Sequence, residues 1–287
     1  MATIASGPAM APPSLDWLNG DVPTLRIEYE RQRAKPMPAN MRWVMRGDRL
    51  RVLEHQVPEP SSTAIVYFHG GGFIVGSPRT HADITAELCR RVGLPLYSVD
   101  YRLAPEHVAP APIEDGTTVI RHLLANGTDR IVLCGDSAGG AVALAVEAGL
   151  PDDICAHIAG VCSFYGAYGL FDTPSLLEKG SRIDGTDVAC VRRYFTLANR
   201  DIAENAYGLA ALAKPSPAPV YLLAASDDPL RDDTLRLAEA FEACGRDVTL
   251  VVVADENHGF LHNAAVSSPA SAAIVQIAAW IRRRQAD

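Results

Sequence analysis

RIVLCGDSAGGAVALAV, residues 130–146, changes its periodicity in mid-stretch. Ile131 to Cys134 is a continuous apolar run, short enough for a strand and apolar enough to be covered on both faces. Ala141 to Ala148 is rich in alanine, and reads as a buried helix. Between them lies Gly135-Asp136-Ser137-Ala138-Gly139-Gly140, too short for any relaxed loop. A strand that turns directly into a helix within three or four residues must bend sharply. Small residues on both sides of Ser137 are what such a bend requires.

The same alternation extends outward in both directions. Upstream, Ala64–Phe68 (AIVYF) and Leu94–Tyr101 (LPLYSVDY) read as strands, with helical patterns near Thr80–Val92 and Ile113–Ala125. Downstream, Ile158–Phe164, Val220–Ala225 and Val248–Val253 read as strands, and a last helix runs from about Ser268 to Arg284. Apolar strands alternating with helices imply an α/β fold with a mostly parallel central sheet and helices on both faces. Arg42 to His55 reads as a hairpin turning at Gly47-Asp48, which adds antiparallel strands at one edge. Residues 15–35 suggest one or two short helices, with Leu25 and Tyr29 at helical spacing. Residues 166–212 interrupt the rhythm and hold no strand pattern. An insertion there would lie over the carboxyl ends of the strands, where ligands bind in such sheets. The expected organisation is therefore a cap segment at 1–40, a core from 41–165 and 213–287, and a small helical cap insertion at 166–212.

Composition excludes several classes. A formal net charge of −8 argues against nucleic acid and anionic membrane surfaces as partners, since both demand a basic face. No apolar stretch approaches the ~20 residues of a membrane span. The N-terminus lacks the basic and apolar regions of a signal peptide. The six cysteines are scattered without zinc-ligand spacing, so free thiols in the cytoplasm are expected.

The chemistry starts at Ser137. The elbow presents its hydroxyl at the tip of the sheet and sets the Ala138 amide at a helix N-terminus, aimed at a developing oxyanion. His69-Gly70-Gly71-Gly72-Phe73 follows the strand AIVYF. Its glycines allow backbone amides to approach an anion, so Gly71 and Gly72 are the other candidate oxyanion donors, each worth ~3 kcal/mol to a transition state. Phe73 and Asp136 are candidate substrate contacts. No phosphate-cradle spacing is present. A serine needs a base to take its proton, and the base needs an orienting carboxylate. His258, in Glu256-Asn257-His258-Gly259-Phe260 beyond the strand VTLVVV, is the candidate base; His262 reads as peripheral. Asp227 and Asp228 both follow VYLLAAS, and spacing leaves the choice between them open. Asp232 and Asp233 read as helix N-terminal acids.

HGGGF, GDSAGG, DPL and HGF occur in this order and resemble the hormone-sensitive-lipase family of α/β-hydrolase esterases. Tyr101-Arg102-Leu103-Ala104-Pro105-Glu106 resembles that family's supporting loop. The resemblance implies an α/β-hydrolase fold with a triad of Ser137, Asp228 and His258. It also implies an oxyanion hole from Gly71, Gly72 and Ala138, and a small carboxylic ester as substrate. The expected reaction passes through an acyl-enzyme and needs no metal or organic cofactor. Short acyl groups are expected, because no long apolar lid is visible. The same machinery would serve an amidase, an N-deacetylase or a lactonase, and the fold could also carry a non-catalytic binding protein. Four lesser expectations complete the reading. Arg282–Arg284 complements a helix C-terminus. Trp17 and Trp43 pack cap or sheet, with a substrate-wall role as the alternative for Trp17. His81 and His107 have no ligand pattern for a metal. The last strand and helix offer a homodimer face.

Overall fold

A computed structural model describes residues 15–46, 50–182, 185–265 and 267–284. The turn expected at Gly47-Asp48 and the first 14 residues of the expected N-terminal cap lie outside these. Eight strands form one sheet: β1 (Met41–Arg46), β2 (Leu50–His55), β3 (Thr63–Phe68), β4 (Leu96–Val99), β5 (Arg130–Asp136), β6 (Ile158–Phe164), β7 (Val220–Ala225) and β8 (Val248–Val253). Their order is β1-β2-β4-β3-β5-β6-β7-β8. The hairpin β1–β2 joins β4 antiparallel, and all the remaining pairs are parallel. The α/β-hydrolase expectation is met, with the antiparallel edge where the hairpin pattern put it.

The continuous apolar strands are explained by what covers them. Along β3, Ala64, Val66 and Phe68 face one apolar layer, while Ile65 and Tyr67 face the other. The first layer is filled from helices α3 (Ala111–Ala125), α4 (Ala138–Gly149) and α9 (Arg231–Ala243), through Ile120, Val142 and Phe241. The second is filled from α2 (Ala82–Val92) and α10 (Ser268–Arg283), through Leu88, Ile277 and Trp280. Side chains alternate across a strand, so a strand covered on both faces has no solvent position to mark with a polar residue. The edge strand β8 differs. Leu250 and Val252 are exposed there, which leaves an open edge.

Between β6 and β7 lie α6 (Pro174–Lys179), α7 (Val188–Ala198) and the single turn α8 (Leu209–Leu212). The N-terminal helix α1 (Val22–Arg33) is capped by Asp21, whose carboxylate accepts the Thr24 amide at 3.0 Å. It buries Leu25 and Tyr29, whereas Ile27 faces solvent. Arg193 on α7 donates to the carbonyls of Trp17 and Gly20, tying the N-terminal segment to the insertion. Arg26 ties the same segment to the core. Its guanidinium donates to Ile74 O at 2.7 Å and Ala104 O at 2.6 Å, and it pairs with Glu106.

One strand is shorter than its pattern. The run Leu94–Tyr101 pairs only over Leu96–Val99. Asp100 still donates its amide to Arg51 O at 3.1 Å and pairs its carboxylate with the Arg51 guanidinium at 2.6 Å, and the Tyr101 hydroxyl donates to His69 O at 2.7 Å.

Candidate active site

Ser137 occupies the step between β5 and α4 with φ 53° and ψ −124°, a left-handed conformation that a non-glycine residue holds only under constraint. The constraint is packing around it. A Cβ on Gly139 would lie 2.1 Å from Phe68 O, and one on Gly135 would lie 2.2 Å from Gly139 O. The elbow is thus pressed against the end of β3, the strand that launches the glycine loop. That loop is itself left-handed at Gly71 (φ +120°) and Gly72 (φ +58°). Among the described residues, the amides of Gly71, Gly72 and Ala138 have no hydrogen-bond acceptor. They remain available to a ligand beside Ser137.

His258 reaches the serine from the loop after β8. Its Nε2 is 2.9 Å from Ser137 Oγ, and its Nδ1 is 2.9 Å from Asp228 Oδ2. Asp228 is wholly buried at the end of β7 and also accepts the Leu230 amide at 2.7 Å. Asp227, the rival in the sequence, is half exposed and pairs with Lys179 at 3.0 Å. Burial disfavours a charged His258 imidazole, but the Asp228 carboxylate outweighs it and raises the pKa above its ordinary value.

Gly71, Gly72, Ser137 and His258 line a cavity of about 350 Å³. Its apolar wall contains Trp17, Val191, Tyr194 and Phe195. Tyr194 lies against the glycine loop, since a Cβ on Gly72 would be 3.0 Å from its ring. Trp17 meets Tyr194 edge-on, with ring centroids 6.1 Å apart. Trp17 had two readings, packing and substrate wall; its ring lies at the cavity wall. Trp43 lies beneath the Arg51 guanidinium, 4.8 Å from its ring centre.

The two candidate substrate contacts also have other partners. Phe73 borders the cavity, yet its ring is buried and stacked on Tyr207 at 4.5 Å. Asp136 is buried behind Ser137. Its Oδ1 accepts from Tyr67 at 2.8 Å and from the Gly70 amide at 3.0 Å, so it holds the glycine loop against the elbow. His262 is not peripheral as expected. It lines the cavity, and its Nδ1 is 3.2 Å from Asp83. His81, for which the sequence showed no carboxylate partner, lies 3.3 Å from Asp136. Asp233 does sit in the first turn of α9, but it is fully buried and accepts the Tyr168 amide at 2.6 Å. Its burial and the nearby Asp228 carboxylate raise its pKa to about 7, against the pull of backbone donors. No spacing signal marks Asp83, Tyr194 or Asp233, because each meets the site from a different element.

A strained serine, an imidazole and a buried carboxylate in one chain of contacts define a serine hydrolase architecture on this sheet. The chain belongs to the alpha/beta hydrolase fold family, whose profile matches residues 65–262. An acetyl esterase of Salmonella schwarzengrund (strain CVM19633) is 31% identical over 220 residues, covering 71% of this chain and 68% of its own. A thermophilic carboxylesterase from a metagenomic library superimposes with a TM-score of 0.83 at 27% identity, over 93% of this chain and 98% of that one. An esterase of the bacterial hormone-sensitive lipase family shares the fold, with a TM-score of 0.84 at 24% identity over 93% of both chains. The resemblance read from HGGGF, GDSAGG, DPL and HGF is borne out, and the expectation of a carboxylic ester hydrolase is met. No helix among the described residues is long and apolar enough to cross a membrane.

Proposed function

We propose that this chain is a serine carboxylesterase that hydrolyses short-acyl esters through an acyl-enzyme. The observation that carries the reading is the pair of 2.9 Å contacts linking Ser137 Oγ to His258 and His258 to Asp228 at the cavity floor. His258 Nε2 takes the Ser137 proton as Oγ attacks the ester carbonyl, and Asp228 stabilises the imidazolium through Nδ1–H. The carbonyl oxygen becomes an oxyanion held by the amides of Gly71, Gly72 and Ala138. His258 then protonates the departing alkoxide, and the C–O bond to the alcohol breaks. Water, deprotonated by the same imidazole, attacks the acyl group and frees Ser137. Neither a metal nor an organic group enters these steps.

The preference for short acyl groups rests on the Trp17–Tyr194 wall, which closes over the glycine loop and limits the space beyond the oxyanion donors. We read the described residues of the segments 1–40 and 166–212 as the cap that carries this wall. Asp136 acts here through Gly70 more than through substrate, and Phe73 shapes the wall by fixing Tyr207 and Phe195. A cytoplasmic location suits the six cysteines, none of which is in a disulfide.

The test is acyl-chain profiling with p-nitrophenyl esters from C2 to C12, run beside Ser137→Ala and a matched short-chain anilide. The reading requires fastest turnover at the shortest chains, loss of activity in Ser137→Ala, and an ester rate well above the amide rate. An amide rate equal to the ester rate would replace it with an amidase. No fluorophosphonate adduct on Ser137 would replace it with a non-catalytic binder.

A further inference from the structure

The cavity that holds Ser137 is unevenly lined. Val191, Phe195 and Leu230 make one part apolar, whereas Asn257, His262 and Asn263, around the loop that carries His258, make another polar. His258 hands its proton to the departing alkoxide, so the alcohol part of an ester lies beside that loop.

Arg33 brings a positive charge to this cavity. Among the described lining residues it is the single lysine or arginine. Leu25, Tyr29 and Arg33 follow one another at intervals of four along α1 and so share a helix face. The first two are buried and the third is exposed, which puts the guanidinium at the cavity mouth, 5.8 Å from the centre of the Tyr29 ring. Burial pushes the Tyr29 hydroxyl up to about 12; Arg33 opposes this, and the Asp136 and Asp83 carboxylates add to it. Asp83 is the partner of His262. Arg33 and the polar part of the cavity therefore meet around one hydroxyl.

The charge on Arg33 has no counter-charge. Arg26 pairs with Glu106 and Arg31 with Glu28, but among the described residues no carboxylate pairs with Arg33. The acids in the cavity lining are engaged elsewhere. Asp136 accepts from Tyr67 and Gly70 and lies 3.3 Å from His81, and Glu256 Oε1 accepts from the Ser267 hydroxyl at 3.2 Å. A cation in the last turn of a helix complements its dipole, but Arg31, which does not line the cavity, serves that end too. What remains on Arg33 is a planar fork of N–H donors beside a polar pocket, the geometry that receives a carboxylate through two parallel hydrogen bonds. One guanidinium balances one carboxylate; a phosphate dianion would keep surplus negative charge near Asp136 and Asp83.

We propose that Arg33 is a specificity-determining residue that binds a carboxylate on the alcohol part of the ester, so that the preferred substrates are short-acyl esters of hydroxy acids. The proposal rests on the esterase reading for its leaving group, but the binding of the anion is measurable without turnover. The guanidinium grips the part of the substrate that departs and exchanges no proton with it.

The experiment compares meta-acetoxybenzoate with meta-acetoxybenzamide, a neutral ester of the same shape. It measures kcat/KM for both in wild type, Arg33→Gln, Arg33→Glu and Arg31→Gln, each checked for folding by thermal melt. The ratio of the two, anionic over neutral, cancels any loss that both share. It should fall about 5–10-fold in Arg33→Gln, between the worth of an exposed ion pair and that of a buried charged hydrogen bond, and further in Arg33→Glu. Arg31→Gln should keep the wild-type ratio. In wild type the ratio should also fall as NaCl rises from about 0.05 to about 0.5 M, and this slope should vanish in Arg33→Gln. Calorimetric titration with meta-hydroxybenzoate reads the same contact without turnover, and its affinity relative to meta-hydroxybenzamide should drop by a similar factor in Arg33→Gln. An equal ratio in wild type and both Arg33 variants overturns the proposal, as does an equal fall in Arg31→Gln. No turnover of either ester refutes the esterase reading and not the guanidinium site, which then stands or falls on the meta-hydroxybenzoate comparison.

Discussion

Gly139→Ala adds one methyl group at the place where the elbow touches the glycine loop. The new Cβ would lie 2.1 Å from Phe68 O and 2.6 Å from His69 O, both backbone atoms. Ordinary contact begins near 3.4 Å, so about 1 Å of separation must be found between α4 and the end of β3. Neither side yields cheaply, since β3 is the central parallel neighbour of both β4 and β5. Overpacking of this kind costs about 1–3 kcal/mol. At roughly 2–4 °C per kcal/mol, the melting temperature should fall by several degrees. The effect on turnover should be larger in proportion. The same displacement separates Ser137 from Gly71 and Gly72, and a misplacement of about 1 Å can cost 10²-fold in rate. The assay is kcat/KM for p-nitrophenyl acetate together with a thermal melt. Gly149→Ala on the same helix is the control. Its added Cβ would meet only Ile113 Cγ2 at 3.6 Å, so it should keep full activity and equal or slightly exceed wild-type stability. Wild-type turnover and melting in Gly139→Ala would refute the claim that close approach, rather than helix propensity, requires glycine there.

Three further outcomes follow from the buried charges. The proposed mechanism needs neutral His258, so the acid limb of kcat/KM should have its midpoint above the ~6.5 of a free imidazole. In Asp228→Asn, burial dominates, so the limb should move to lower pH while the rate falls by about 10³–10⁴; a limb that stays or rises contradicts this. Asp233 titrates near 7 when folded but near ~3.9 when unfolded, so the folded chain holds the extra proton between these values. Stability should therefore fall as pH rises through that window and level off above it, and Asp233→Asn should remove this slope in urea melts. A wild-type-to-variant difference independent of pH would count against it. Arg246 and Glu147 form a buried pair at 3.0 Å. Arg246→Met alone should cost about 3–5 kcal/mol, and the double variant with Glu147→Leu should recover most of it; equal melts for single and double variants would rule this out.

The parts of the molecule legible in the sequence are those set by neighbours in the chain. The strands Ile158–Phe164, Val220–Ala225 and Val248–Val253 are bounded in the fold where their apolar runs stop. The turn around Ser137 was readable because strand, small residues and helix follow without a gap. What distance along the chain conceals was not readable. Asp227 and Asp228 follow the same strand and spacing leaves them open; the DPL resemblance favours Asp228, and the fold separates a half-exposed partner of Lys179 from a buried partner of His258. His81, Asp136 and His262 meet across 181 positions, and no spacing rule connects them. Packing and a wall role both stayed open for Trp17 because its neighbour Tyr194 belongs to the inserted segment.

The hook made by Arg26 has a consequence for how such enzymes diversify. The helix that bears it contributes Tyr29 to the cavity, while the carbonyls it grips belong to the stretches just after the glycine loop and within Tyr101–Glu106. Grafting a relative's leading helix onto this core would import a new rim but lose the socket, unless both receiving carbonyls and Glu106 travelled with it. Selectivity at the rim and alignment at the serine are thereby inherited as one unit, which sets the smallest piece that recombination can exchange.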